Sequence, residues 1–249
     1  MSGHNKWSTI KRKKGAIDSK RSKIFSRITK EITIAVKEGG PDAEGNARLR
    51  LAVNNAKGVN MPKDNIMRAI NKAEKDPDNF HDLTFEGYGP GGIALFIECL
   101  TDNNNRTVSA IRSLFTKKGG TLGTNGSLTF LFDRKGIFTI QKDKIKMDDL
   151  ELDLIDAGAE NIELNDDTYT ITTPMEDFGK MNKKLEELKI EVENASLQRI
   201  PNDCKTVDTS TAVKILKLVD EFEENEDVQN VYHNLEITDE VMAAMEKVE

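Results

Sequence analysis

GIFTIQ (Gly136–Gln141), NIEL (Asn161–Leu164), TYTITT (Thr168–Thr173) and EVENASL (Glu191–Leu197) read as strands. MDDLELDLIDA (Met147–Ala157) and PMEDFGKMNKKLEEL (Pro174–Leu188) read as helices between them. In chain order this is β-α-β-β-α-β, the ferredoxin-like series. Many functions use that fold, so the series fixes an architecture and no activity.

On the N-terminal side the apolar period is also close to two. Leu83–Tyr88 and Ile93–Leu100 read as strands joined by Gly89-Pro90-Gly91-Gly92, a turn whose residues tolerate positive φ. Asn103-Asn104-Asn105 then leads into a helix with Val108, Ile111, Leu114 and Phe115 inward, ending at Gly119-Gly120. Arg106, Arg112, Lys117 and Lys118 are expected outside. The loop Thr121–Ser127 lacks the Lys-Ser/Thr pair of a P-loop and precedes a strand, yet its backbone N–H groups remain available to an anion.

Past Pro201 come an ambiguous strand near Lys205–Asp208, a helix over Thr209–Phe222, a strand over Val228–His233 and an acidic helix capped by Thr238. The elements within 83–132 make a poor domain alone. Residues 205–249 are therefore expected to return and complete that sheet, with the ferredoxin-like unit inserted.

The first part of the chain is helical by its period. Ile24, Phe25, Ile28, Ile32, Ala35 and Val36 form one stripe of a helix that Asp18 or Ser19 caps and Gly39-Gly40-Pro41 stops. A second helix over Asn46–Lys57 turns Leu49, Ala52, Val53 and Ala56 inward, with Gly58 as C-terminal cap. A third opens at Pro62, buries Ile66, Ala69 and Ile70, and ends before Pro77. The expected fold is thus multidomain α and α+β. A basic three-helix domain spans 1–79, a discontinuous α+β domain 80–133 plus 205–249, and an inserted ferredoxin-like α+β domain 134–204.

Charge separates these parts. Residues 1–30 hold ten Lys or Arg and one carboxylate, Asp18. Through residue 75 there are 18 basic and 7 acidic residues, net +11, while the rest carries 18 and 36, net −18, inside a total of −7. Such a dipolar chain presents its basic end to a polyanion. The phosphate-contacting candidates are His4, Lys6, Lys11, Arg12, Lys13, Lys14, Lys20, Arg21, Lys23 and Arg27, with Arg48 and Arg50 extending the track. Trp7, the only Trp, either stacks on an exposed base or packs beneath the arm.

Other classes are weaker. With 37% apolar and 32% charged residues the chain suits several small cores rather than one large one. No apolar signal region follows Met1–Asn5, and the run Ile93–Leu100 is short of the ~20 residues that span a bilayer, so a cytoplasmic protein with no membrane partner is expected. Cys99 and Cys204 stand apart, which suits two reduced thiols. His4, His81 and His233 lie in three regions without Cys at metal-ligand spacing, and the clusters Asp148-Asp149-Glu151 and Glu221-Glu223-Glu224 read as solvated helix faces. No catalytic residue, metal, cofactor or small-molecule substrate is assigned. A two-metal nuclease built on Asp102, Asp133 and the Asp148 group is the enzymatic alternative.

Several blocks in one order resemble the YebC family over essentially the whole chain. They are Gly3-His4-Asn5-Lys6-Trp7 with Ile10-Lys11, Leu49-Arg50 through Asn60-Met61-Pro62-Lys63, and Glu86-Gly87-Tyr88-Gly89-Pro90-Gly91-Gly92. Asp102, Asn105-Arg106-Thr107, Arg112, Phe115, Gly119-Gly120, Leu122-Gly123 through Gly126-Ser127, and Val228 through Asn234 continue them. Ala47 departs, since the family often carries Pro there. The resemblance implies the three-domain layout above and a cytoplasmic, non-enzymatic, DNA-binding regulator of transcription. Relatives in mitochondria resemble translational activators and bacterial members have been tied to the ribosome, so the alternative it implies is a translation factor on ribosomal RNA. The partner is then DNA with the transcription machinery, or ribosomal RNA with the ribosome. A reader of DNA bases needs a helix reaching the major groove, and no helix announces that role in the sequence.

Overall fold

A computed structural model describes residues 17–75, 79–145, 147–165 and 167–247. They gather into two units. One holds the described residues through Arg27, Asn79–Asp133 and Ile200 onward; the other holds Ile28–Asp78 and Arg134–Arg199 as far as described.

The first unit is built on an antiparallel hairpin, β1 (His81–Tyr88) and β2 (Ala94–Thr101). The short β3 (Thr121–Leu122) follows α4 (Asn104–Lys117) and adds to β1; β8 (Val228–His233) adds to β2, giving the order β3-β1-β2-β8. The expected return of the C-terminal segment to this sheet is observed in β8. Alternation along β2 sends Leu95, Ile97 and Cys99 to one face. There they pack with Phe115 of α4, with Ile215, Leu216, Val219 and Phe222 of α7 (Thr209–Glu224), and with Val241 and Met245 of α8 (Asp239–Lys247). The Phe115 and Phe222 rings lie 5.0 Å apart at their centroids. Ala94 and Phe96 face the other way, onto Leu128, Phe132 and Tyr232. The ambiguous strand near Lys205 is a single parallel bridge, Lys205 to Leu235.

In the second unit β4 (Phe132–Gln141), α5 (Met147–Asp156), β5 (Asn161–Asn165), β6 (Thr168–Pro174), α6 (Phe178–Glu187) and β7 (Asn194–Pro201) follow the expected series. The sheet order is β5-β6-β4-β7, with β4 and β5 each antiparallel to β6. Phe138, Ile140 and Ile171 from the strands meet Leu154, Met181 and Leu185 from the helices. Boundaries differ from expectation: β4 starts at Phe132 rather than Gly136, β7 runs on to Pro201, and two other differences have a local cause. Pro174 closes β6 rather than opening α6, because its carbonyl accepts Asp177 N–H in a turn before the helix begins. The last strand starts at Asn194, later than Glu191, because Ile190 N–H is spent on Leu185 O where α6 ends, with Lys189, just past the cap residue Leu188, at φ +56°.

The same unit contains the end of α1 (Ile17–Gly39), α2 (Ala47–Gly58) and α3 (Lys63–Lys75). Buried Ile32, Ala35, Val36, Leu49, Ala52, Ala56, Ile66, Ala69 and Ile70 belong to the predicted stripes, and Ala73 extends the last of them. Ile24 is a correction, 40% exposed instead of inward. Asn46 caps α2 through Leu49 N–H at 3.0 Å and donates to Ala35 O at 2.6 Å and Gly40 O at 2.9 Å. One buried amide thereby fastens the end of α1 to the start of α2.

Gly58 is not the cap. It stays helical, and a Cβ there would sit 1.8 Å from the carbonyl oxygen of Glu193, so close backbone approach is its reason. The left-handed position falls to Asn60 at φ +57°, with Asn60 N–H on Lys57 O and Met61 N–H on Ala56 O, both 2.9 Å. Pro62 precedes α3 instead of being its first residue, and its carbonyl accepts Asn65 and Ile66 N–H. Asp18 and Ser19 lie within α1, whose helix already includes Ile17, so neither is its N-cap, a correction; the stop at Pro77 lies outside the described residues.

Candidate nucleic-acid interface

His4, Lys6, Trp7, Lys11, Arg12, Lys13 and Lys14 lie outside the described residues, and Lys20 is in α1 with its side chain outside them. The remaining candidates fall into two groups. Arg21, Lys23 and Arg27 ride on α1. Arg21 is exposed, its guanidinium carbon 5.4 Å from the centroid of the Phe25 ring. Lys23 Nζ donates to Glu224 Oε1 at 2.7 Å and holds that carboxyl below its usual value. A pair so exposed adds little stability and exchanges readily for another anion. Arg27 Nη2 donates to the carbonyl of Glu223 at 3.0 Å, in the last turn of α7, where the helix dipole favours a cation. Burial lowers the Arg27 pKa against the charge of Glu223, and a guanidinium remains charged throughout.

Arg48 and Arg50, expected to extend a phosphate track along α2, are both engaged inside the chain. Arg48 Nη1 donates to Glu38 Oε2 at 2.7 Å and Nη2 lies 3.3 Å from Glu31 Oε2. Burial opposes its charge, but the two carboxylates more than offset that and raise its pKa. Arg50 Nη1 donates to the carbonyls of Ala43 and Glu44, and its Nε lies 3.6 Å from Glu186 Oε1. Each has the partners of a fastener between elements.

The glycine loops are likewise spoken for. Gly91 and Gly92 both take φ +69° in the hairpin turn, and a Cβ on Gly91 would come within 2.9 Å of Thr211 on α7. In the loop after β3, the backbone N–H groups of Gly126 and Leu128 donate to Glu86 Oε1 and Oε2, and Gly123 N–H to the Glu86 carbonyl. Glu86 is 1% exposed. The anion this loop holds is therefore the protein's own carboxylate.

Arg106 is exposed, as expected, yet it is engaged within the chain. Its guanidinium reaches the buried Asp227 at 2.9 Å and Asp102 at 2.8 Å. Thr107 Oγ1 lies 2.9 Å from the same Asp227 carboxylate, which precedes β8. The Asp227 carbonyl accepts Leu100 N–H, so Arg106 and Thr107 pin the returning strand to the hairpin. A buried carboxylate calls for partners of this kind, a demand that local sequence does not reveal. His81 is exposed on β1 and His233 buried on β8, and Cys99 and Cys204 are free thiols. Among the described residues no group of three or more His, Cys, Asp or Glu is placed to hold a metal, and no helix is long and apolar enough to cross a membrane.

A family profile described as "TACO1/YebC protein N-terminal domain" matches residues 5–76, and one described as "TACO1/YebC second and third domain" matches residues 80–235. The chain belongs to the TACO1/YebC family. A relative from Chlorobaculum parvum is 49% identical over 99% of this chain and 100% of its own. One from Rubrobacter xylanophilus is 48% identical over 98% of each, and one from Amoebophilus asiaticus 50% identical over 94% and 98%. Each of these is named "Probable transcriptional regulatory protein". The crystal structure of a conserved hypothetical protein from Aquifex aeolicus matches with a TM-score of 0.82 at 38% identity, over 92% of this chain and 96% of that one.

In this TACO1/YebC member the outward face of α3, absent from the sequence-derived candidates, also carries cations. Lys63, Arg68 and Lys75 are exposed there and, among the described residues, no carboxylate engages them. The signal was present in the helical period. Burying Ile66, Ala69, Ile70 and Ala73 leaves Lys63, Asp64, Met67, Arg68, Asn71, Lys72, Glu74 and Lys75 outward.

Proposed function

We propose that this protein is a DNA-binding regulator of transcription that acts in the cytoplasm without catalysing a reaction, holding backbone phosphates through its basic N-terminal stretch. The observation that carries the reading is the charge segregation, net +11 through residue 75 against −18 in the rest. The printed name of three relatives about half identical over nearly their full length supports the regulatory role. Residues 1–79 serve as the polymer-binding domain, with 80–133 plus 205–249 and the inserted 134–204 as two acidic domains. The descriptions of the two matching profiles support that layout. Within the first domain the arm from His4 to Lys14 and the exposed cations of α1 meet phosphate, while Arg48 and Arg50 shape the platform.

The test reverses the arm. Lys11→Glu, Arg12→Glu, Lys13→Glu and Lys14→Glu together are expected to lower duplex affinity in a mobility shift by about a thousandfold at 50 mM salt, with thermal unfolding nearly unchanged. Wild-type affinity should fall by roughly three to five decades between 50 and 200 mM salt, as for ~6–10 phosphate contacts. Unaltered binding by the reversed arm overturns its role. Comigration with ribosomal subunits at moderate salt, with no promoter footprint, overturns the transcriptional reading in favour of translation.

A further inference from the structure

Phosphate contacts position a protein on a duplex but do not tell one sequence from another. We propose that α3 is the element that reads bases, as the second helix of a helix–turn–helix formed by α2 and α3. This inference rests on the DNA reading above and adds the reading surface to it. Four residues, Val59–Pro62, separate the two helices, closed on one side by the Asn60 cap and opened on the other by the Pro62 carbonyl. Met61 is 5% exposed, so the turn is anchored from within. The helix is seated on a face with two alanines, Ala69 and Ala73, beside Ile66 and Ile70. Its opposite face is left open to solvent.

That open face has the chemistry of a groove reader. Arg68 is the residue type that takes the two acceptors of guanine, Asn71 the type that pairs with both adenine groups, and exposed Met67 offers apolar contact to a thymine methyl. Lys63 and Lys75 stand near the two ends, where a helix lying in the groove meets the flanking phosphates. Asp64, in the first turn, can accept from a cytosine amino group. Thirteen residues make a rod of about 20 Å, and a major groove ~12 Å wide admits a helix.

Two details separate this face from a merely solvated one. Arg68 declines the ion pair with Asp64 that i,i+4 spacing offers. Met67 is 46% exposed in the middle of the cations. An anionic surface with an apolar component answers both.

The test uses the full chain and a random-sequence duplex library. Wild type is expected to enrich particular duplexes, and Arg68→Ala and Asn71→Ala each to lose roughly 10- to 100-fold of the preference for enriched over scrambled duplex. Binding to scrambled duplex should change little with Asn71→Ala, and unfolding should be unchanged in both, since both side chains are exposed. If wild type discriminates and both variants retain full discrimination, α3 is not the reader and the DNA reading stands. If wild type binds every duplex alike, the inference falls while phosphate capture stands. Absence of any duplex binding overturns both.

Discussion

Glu86 and Arg106 lie in the segment with the most distinctive sequence, and both are spoken for within the molecule: Glu86 is buried under the loop after β3, and the exposed Arg106 is paired with the buried Asp227. Arg68 and Asn71 lie in a helix of ordinary sequence, and both face solvent. The difference has a physical origin. A buried charge must be met by particular partners at hydrogen-bonding distance, which forces glycines, threonines and counter-charges into fixed places. An exposed charge makes no such demand, so a contact surface can be built from common residues in a plain helical period. Distinctive sequence marks internal constraint here.

Removing the carboxylate at the centre of the first region is the strongest way to sharpen that contrast. Glu86→Ala strands the N–H groups of Gly126 and Leu128 and is expected to cost about 3 kcal/mol in denaturant unfolding. The preference for enriched duplex should persist wherever the variant is folded. A selective loss of DNA affinity at unchanged stability would break the comparison, because Glu86 would then belong to a contact surface.

Asn46→Ala asks how far the helical region depends on its own internal fastener. Losing the cap on Leu49 N–H, together with the donors to Ala35 O and Gly40 O, should cost about 2 kcal/mol. A change within ±0.5 kcal/mol, the usual range for surface substitutions, would show that the α1–α2 junction holds by apolar packing alone.

The smallest effect is electrostatic. Asp208 caps α7, accepting Thr211 N–H at 3.0 Å and Ser210 Oγ–H at 2.7 Å. Hydrogen bonds from Thr211 and then Ser210 hold its carboxyl well below the ordinary value. A carboxyl whose pKa is lower in the folded state contributes fully above its unfolded pKa of ~3.9, and that contribution is lost as pH falls toward the folded value. Asp208→Ala should therefore lower Tm above about pH 5 and make progressively less difference in more acidic buffer. A Tm difference that stays constant into acid would mean that the charge of Asp208 plays no part in the cap.

The elements were legible because their periods are clean. Val228–His233 was read to the residue, and the ferredoxin-like series appears in order. What escaped were long-range facts. A glycine near a helix end reads as a cap, yet the Glu193 carbonyl decides Gly58. Arg48 and Arg50 read as free cations on α2, yet Glu38 and Glu31 claim the first, and the carbonyls of Ala43 and Glu44 the second. The buried and exposed stripes of α3 were both written in its period. Only the buried one was used, since an outward face has meaning only once its neighbours are known not to occupy it.

The pairing of β2 with β8 also bears on how the chain leaves its site of synthesis. The β4–β7 sheet can close as soon as its own contiguous segment has emerged. The hairpin must wait for a strand that arrives more than a hundred residues after it, with Leu95 and Ile97 uncovered meanwhile. A nascent chain that has emerged only as far as Pro201 would hold one finished sheet and one open apolar edge, a form suited to capture by chaperones.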